Sequence, residues 1–233
     1  MTELVVVRHG QASFGQADYD ALSDAGVVQS RHLGEWLAGS PRAFDAVLCG
    51  SMRRHRDTLA AIVAAHATDT LGTPGELPAL DEFDHQAVMR AFAELEPDHP
   101  HVAAFRAGSA PEPRVVYAFL RSALEHWADG RLDARLAEPW NAFRTRIERG
   151  IAQVLERARG CDRVLVVTSG GVMAQFARVA LDLSDRRTVA LNLAVRNTGV
   201  STFNARDGAL ELVSWNALPH LSEPARHALW TYY

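Results

Sequence analysis

Three stretches of this chain are unbroken apolar runs of strand length: Leu4-Val5-Val6-Val7, Ala46-Val47-Leu48-Cys49 and Val164-Leu165-Val166-Val167. Continuous rather than alternating apolarity is the pattern of strands buried on both faces. Thr198–Phe203 and Leu210–Trp215 read as two later strands, joined through the turn signal Asp207-Gly208. Between these runs the apolar period changes to that of helices. Leu33, Trp36 and Leu37 close one helix, with Gly39 as its C-cap. Leu59, Ile62, Val63 and His66 line a second; Val116, Phe119, Leu120, Ala123 and Trp127 a third. Trp140, Phe143, Ile147, Ile151, Val154 and Leu155 line a long fourth, and Val172, Phe176 and Val179 a fifth.

Strands alternating with helices predict an α/β fold, a three-layer sandwich whose mainly parallel central sheet is covered on both faces. The stretch 83–139 interrupts the alternation with Pro97, Pro100, Pro111 and Pro113 among helical patches. It reads as a mainly helical insertion packed over the sheet edge, within one domain spanning 1–233.

Composition narrows the function. At 233 residues and 48% hydrophobic, the chain has the balance of a globular domain. No apolar run approaches the ~20 residues of a membrane span, and Met1-Thr2-Glu3 leads straight into the first strand without the charged start of a signal peptide. Cys49 and Cys161 are the only cysteines, too few for a disulfide framework. A reduced, cytoplasmic protein with no membrane partner is the expectation. All 24 basic residues are arginine, and the net charge is −4. The balance argues against nucleic-acid binding, and the lack of lysine excludes Schiff-base and P-loop lysine chemistry.

In a sheet of this kind, ligands bind beyond the carboxyl ends of the strands. After the first strand comes Arg8-His9-Gly10-Gln11; after the second, Gly50-Ser51-Met52-Arg53-Arg54-His55-Arg56; after the third long apolar run, Thr168-Ser169-Gly170-Gly171 opening a helix. One histidine, several arginines and a glycine-rich helix start share phosphate as their simplest target. Arginine presents a permanent charge and a planar donor fork, and a helix start presents free N–H groups. Within this set His9 is the candidate nucleophile.

Arg-His-Gly after an N-terminal strand resembles the opening of the histidine phosphatase superfamily, the phosphoglycerate mutase-like branch. Asp20, Leu22, Ser23, Gly26 and Gln29 match the family's next pattern, Arg54 and Thr58 its second arginine and following threonine, and Leu80-Asp81-Glu82 its acid segment. Asn197, Asn216 and His220-Leu221 are similar to family endings. The resemblance covers most of the chain and implies a phosphoglycerate mutase-like fold acting on small-molecule phosphate esters. It implies that His9 forms a phosphohistidine and that Glu82 is the general acid and then the base. Arg8 and Arg54 would grip the phosphate oxygens, Ser169 and Gly170 would add donors, and no metal or other cofactor is required. The family's second histidine falls at Ser169, which offers one donor and no charge. A catalytically weak or inactive member that binds phosphate esters or a phosphorylated partner is therefore the alternative. A phosphomutase fits less well, because Ala12-Ser13-Phe14-Gly15 stands where mutases continue to a Trp-Asn pair.

The remaining polar residues have simpler readings. Arg53 and Arg56 are expected to face solvent, and His85, His99 and His101 to be surface residues rather than metal ligands. Asp81 and Asp84 compete with Glu82 for the acid's role. Cys49 reads as a packed thiol. His220 either approaches the pocket and supplies the missing charge or anchors the C-terminus. The natural ester is set by the 83–139 insertion, and the sequence leaves the oligomeric state open.

Overall fold

The structure, a computed structural model, describes residues 1–13, 20–66, 74–107 and 112–232. Phe14, Gly15 and Pro111 lie outside the described residues. The sheet has six strands in the order β3-β2-β4-β1-β5-β6: β1 Thr2–Arg8, β2 Ala46–Cys49, β3 Gly75–Glu76, β4 Arg163–Thr168, β5 Val200–Arg206 and β6 Ala209–Ala217. β4 runs parallel to β1 on one side and to β2 on the other, and β3 is parallel to β2. β5 is antiparallel to β1 and forms a hairpin with β6. Both residues of its turn, Asp207 (φ 52°) and Gly208 (φ 83°), are left-handed, as a tight hairpin turn with the right twist demands.

The apolar runs occupy the centre because every backbone group there is paired and both faces are covered. Successive side chains point to opposite faces, so each run divides between two cores. Val5, Val7, Val47, Leu165 and Val167 pack with Leu33 and Leu37 of α1 (Asp24–Ala38) and Leu59 and Ile62 of α2 (Arg53–His66). Leu4, Val6, Leu48, Val164 and Val166 pack on the other face with Phe143, Ile147 and Ile151 of α6 (Trp140–Arg157) and Phe176 of α7 (Gly170–Leu181). The expected mixed α/β architecture, with a mainly parallel sheet and helices around it, is the one observed.

Several local expectations change. Trp36, Val63 and Val179 were placed on buried helix stripes but are 41%, 37% and 42% exposed; the apolar stripe in each helix is wider than the face that packs. Gly39 caps α1 with φ −71°, an ordinary right-handed value. One helix, α8 (Asp185–Ala194), carries no stripe: only Thr188, Val189 and Leu193 are buried, so periodicity gave no signal. Between 83 and 139 lie α3 (His85–Leu95), α4 (Pro100–Ala107) and α5 (Pro113–Ala128). An aromatic cluster joins α5 and the segment before α3 to α6. The Trp127 ring stands 4.7 Å from Phe83, 4.9 Å from Trp140 and 5.3 Å from Phe143, and its indole N–H donates to the Glu138 carbonyl at 3.1 Å.

Truncating a ring in this cluster leaves a cavity the neighbours cannot close. Phe143→Ala is expected to cost about 3–5 kcal/mol, while Trp36→Ala stays within about 0.5 kcal/mol. Urea unfolding at unchanged m-value measures both, and similar costs at the two positions would contradict this assignment of core and surface.

Candidate active site

The carboxyl ends of β1, β2 and β4 lie side by side in the sheet, and the chemistry-bearing side chains sit on the turns that leave them. The His9 backbone N–H donates to the Thr168 carbonyl at 2.8 Å, tying the ends of β1 and β4 together. The His9 Nδ1 lies 2.7 Å from the Gly10 carbonyl oxygen. A carbonyl only accepts, so Nδ1 carries the proton and Nε2 keeps its lone pair. Burial holds the His9 pKa well below its ordinary value, helped by the positive charges of Arg54 and Arg8 and by His55. A neutral imidazole with a free Nε2 is the reactive form of a histidine nucleophile.

Each of the two arginines has its own anchor. Arg8 Nη1 donates to the Val195 carbonyl. Arg54, almost wholly buried, donates to Asp20 Oδ1 at 2.6 Å, and the other oxygen of Asp20 accepts the Arg53 N–H at 2.7 Å. Thr58 joins the first turn to this helix: its hydroxyl accepts the Gly10 N–H at 3.0 Å and donates to the Arg54 carbonyl at 2.7 Å.

The three neighbouring acids separate cleanly. Asp81 accepts from the Ser51 N–H at 2.6 Å and the Ser51 hydroxyl at 2.5 Å. Asp84 caps α3, accepting the Ala87 N–H at 2.9 Å. Glu82 alone of the three joins His9, Arg8 and Arg54 around one cavity. Its Oε2 accepts the Gly171 N–H at 2.9 Å. Burial raises its pKa, opposed by that hydrogen bond and by the two arginines, so the protonated acid is favoured to a higher pH than for an exposed glutamate. A Cβ on Gly171 would lie 2.3 Å from Glu82 Oε1; the bare backbone is what lets the carboxyl approach.

Ser169 and Gly170 do not line this cavity. Ser169 is fully buried, and its hydroxyl faces His55 Nε2 at 2.6 Å. On that turn Arg54 carries the family pattern, and His55 beside it carries no sequence expectation. The structure places the His55 ring beneath the site, 5.7 Å from the His9 ring centre to centre, with Nδ1 3.7 Å from Asp81 Oδ1. Burial lowers the His55 pKa, with Asp81 opposing. Gly50 makes the room: a Cβ there would sit 2.2 Å from His55 Nδ1. The signal was present, because His55, Leu59 and Ile62 recur on the buried face of α2.

His220 lies away from the cavity lining. It is buried, its Nε2 2.9 Å from the Thr198 hydroxyl, and burial pushes its pKa down to about 3; of its two readings the geometry supports the anchor. Asn197 and Gln29 fasten the C-terminal segment beneath the first turn. Asn197 Nδ2 donates to the His9 carbonyl at 3.3 Å and its Oδ1 accepts from Thr231. Gln29 accepts the Gln11 N–H and donates to Leu229 and Thr231. His85, expected on the surface, is half-buried and lines the cavity. His99 and His101 pack in a ring cluster with Phe92 and His126. Among the described residues, no group of three or more His, Cys, Asp or Glu side chains is placed to hold a metal ion. Cys49 is buried and its thiol pKa is raised to about 11. Arg53 and Arg56 are exposed. Among the described residues, no helix is long and apolar enough to cross a membrane.

The family profile described as the histidine phosphatase superfamily (branch 1) matches residues 4–218. Among curated proteins, none matches the chain in sequence. Solved structures are similar in fold. A phosphoglycerate mutase from Bacillus anthracis superposes with a TM-score of 0.67 at 20% identity, covering 94% of each chain. A phosphoserine phosphatase from Entamoeba histolytica gives 0.61 at 18% identity, covering 95% of this chain and 100% of that one. A mycobacterial glucosyl-3-phosphoglycerate phosphatase gives 0.58 at 18% identity, covering 93% and 99%.

The buried contact between His55 and Ser169 has a measurable signature. His55→Leu strands the Ser169 hydroxyl without its partner, at an expected cost of about 1–3 kcal/mol. Adding Ser169→Ala should cost less in the His55→Leu background than in the wild type. A double-mutant cycle by urea unfolding measures the coupling; strictly additive losses would mean the two side chains do not bond.

Proposed function

Because the chain belongs to the histidine phosphatase superfamily, we propose that it hydrolyses phosphate monoesters through a phosphohistidine formed on His9. The observation that carries this reading is the His9 ring itself: its Nδ1 is committed to the Gly10 carbonyl, and its free Nε2 shares one cavity with Arg8, Arg54 and Glu82.

In this reaction the His9 Nε2 lone pair attacks phosphorus in line with the ester oxygen. The new N–P bond forms as the P–O bond breaks, and the Glu82 proton goes to the departing oxygen. Arg8 and Arg54 hold the equatorial oxygens and offset their charge in a site where little water screens it. The phosphorylated ring keeps its Nδ1 proton, and the Gly10 carbonyl stabilises the positive charge that the ring acquires. Water then attacks phosphorus and gives its proton to the Glu82 carboxylate. The N–P bond breaks, inorganic phosphate leaves, and His9 and Glu82 return to their starting forms. No step calls for a metal.

We read Ser169 as the departure from the family pattern, standing where a second histidine is otherwise expected. The burial of its hydroxyl against His55 supports a role in shaping the floor of the site rather than in gripping phosphate. It also supports a second reading, a weakly active or inactive member that binds phosphate esters or a phosphorylated partner. The cytoplasm, as a reducing compartment, suits the two free cysteines. A mutase reading draws on a phosphoglycerate mutase among the fold neighbours, at 20% identity.

Brief incubation with a labelled phosphate ester, quenched under alkaline conditions that preserve phosphoramidate bonds, is expected to leave label on His9, and His9→Ala to abolish both label and turnover of p-nitrophenyl phosphate. Phosphate-analogue binding with no turnover would select the second reading. For Glu82→Gln, alkyl phosphates should lose about 10²–10⁴-fold in rate, and p-nitrophenyl phosphate, whose leaving group needs little protonation, far less. The pH profile of kcat/KM follows from the two shifts. It rises as His9 loses its proton, below the ordinary histidine value because the pKa is lowered. It falls as Glu82 loses its proton, above the ordinary glutamate value because that pKa is raised. Glu82→Gln should remove the alkaline limb; an unchanged limb would take the acid's role from Glu82.

A further inference from the structure

The catalytic end is only one part of the cavity. The space continues, to about 550 Å³ in all, between α3, α4 and α5. Beyond Glu82 its apolar walls are Met89, Val102, Phe105, Val116, Phe119 and Leu120, and polar side chains line it between them. That volume is in the range that holds a whole small organic molecule, ~300–1,000 Å³, and exceeds what a phosphate group fills.

We propose that this apolar extension holds the leaving group of the substrate, and that the substrate is the phosphate monoester of an uncharged, largely hydrocarbon alcohol or phenol. The inference rests on the phosphatase reading for the phosphate end and names the chemistry of the other end.

Three observations carry it. First, the wall is continuous with the reacting group: Phe83 follows Glu82 directly in sequence, and both line the cavity. A hydrocarbon attached to the ester oxygen that Glu82 protonates enters the apolar walls at once. Second, the charges are distributed for a molecule with one charged end. The buried and half-buried cations of the lining, Arg54 and Arg8, sit with His9, and Glu82 is the only acid among the described lining residues. His85 is shifted toward its neutral form by burial. Arg90 and Arg106 also line the cavity, beside Met89 and Phe105, but both are exposed, and Arg106 donates to the Ala93 carbonyl at 3.4 Å. A second anionic group on the substrate would meet only these solvent-screened arginines, while the surface of Met89, Phe105 and Leu120 offers it no partner. Third, the walls are held in place. Phe119 packs on Phe105 at 4.6 Å and on Phe92 at 5.8 Å, and Phe119 and Val102 are buried against the rest of the core. A supported apolar wall that is wet when empty gains free energy whenever a hydrocarbon replaces that water.

Binding of n-alkylphosphonates tests this without needing turnover, because the C–P bond resists hydrolysis. Each methylene that leaves water contributes about fourfold in affinity. Octylphosphonate is expected to bind the wild type at least about a hundredfold more tightly than methylphosphonate, as read by isothermal titration calorimetry. Leu120→Gln and the nearly isosteric Val116→Thr should flatten this dependence while leaving the affinity for methylphosphonate unchanged, with the melting temperature confirming that each variant is folded. Equal affinity for the methyl and octyl compounds, or a chain-length dependence untouched in both variants, overturns the proposal. A parallel assay with p-nitrophenyl phosphate separates the two levels. Chain-length-dependent binding without turnover of any ester defeats the phosphatase reading and leaves the pocket standing; turnover with flat binding defeats the pocket alone. Turnover of 3-phosphoglycerate in preference to octyl phosphate would also contradict it.

Discussion

One hydrogen bond decides what this site can do: the 2.7 Å contact from the His9 ring to the carbonyl of its own neighbour, Gly10. It fixes which nitrogen holds the proton and therefore which one can attack. The contact depends on the path of the turn after β1, and much of the surrounding structure serves that path. The Thr168 carbonyl holds the His9 N–H, Thr58 holds the Gly10 N–H, Gln29 holds the Gln11 N–H, and Asn197 holds the His9 carbonyl. These partners come from β4, α2, α1 and the segment before β5, so the nucleophile's orientation is a property of the whole α/β core rather than of a local motif.

Burial then sets the charges. The same exclusion of water pushes His9 toward its neutral form and Glu82 toward its protonated form, a base and an acid held ready at opposite ends of one proton inventory. Two arginines in the same small volume would repel each other strongly if left bare, and each is given its own acceptor, Val195 for Arg8 and Asp20 for Arg54. In the neighbouring layer His55 bonds Ser169 and lies 3.7 Å from Asp81, in space that a residue larger than glycine at position 50 would fill.

The central sheet was legible because unbroken apolar runs have few other uses in a chain of this composition. The first turn was legible because Arg8, His9 and Gly10 follow such a run directly. Glu82 could be named as a candidate but not separated from Asp81 and Asp84 until their partners were known, since three acids within four residues look alike without geometry. The contact of Ser169 with His55 was not legible, because a place at a helix start carries no information about which neighbour meets the hydroxyl. His55 was missed for the converse reason: beside three arginines it looks like part of a charged run, and only the packing of α2 against the sheet turns it inward. The helix α8 left no trace in the apolar pattern because it packs through three residues.

The central claim, that a neutral His9 presents Nε2 because Nδ1–H is held by Gly10, is tested most directly by long-range ¹H–¹⁵N correlation spectroscopy on protein labelled at its histidines, with His9→Ala supplying the assignment. At neutral pH the account predicts one histidine in the Nδ1–H tautomer, uncharged well below the pH at which an exposed imidazole would protonate, its Nε2 resonance moving on formation of the phosphorylated species. A His9 that is an imidazolium at neutral pH, or that carries its proton on Nε2, would contradict it.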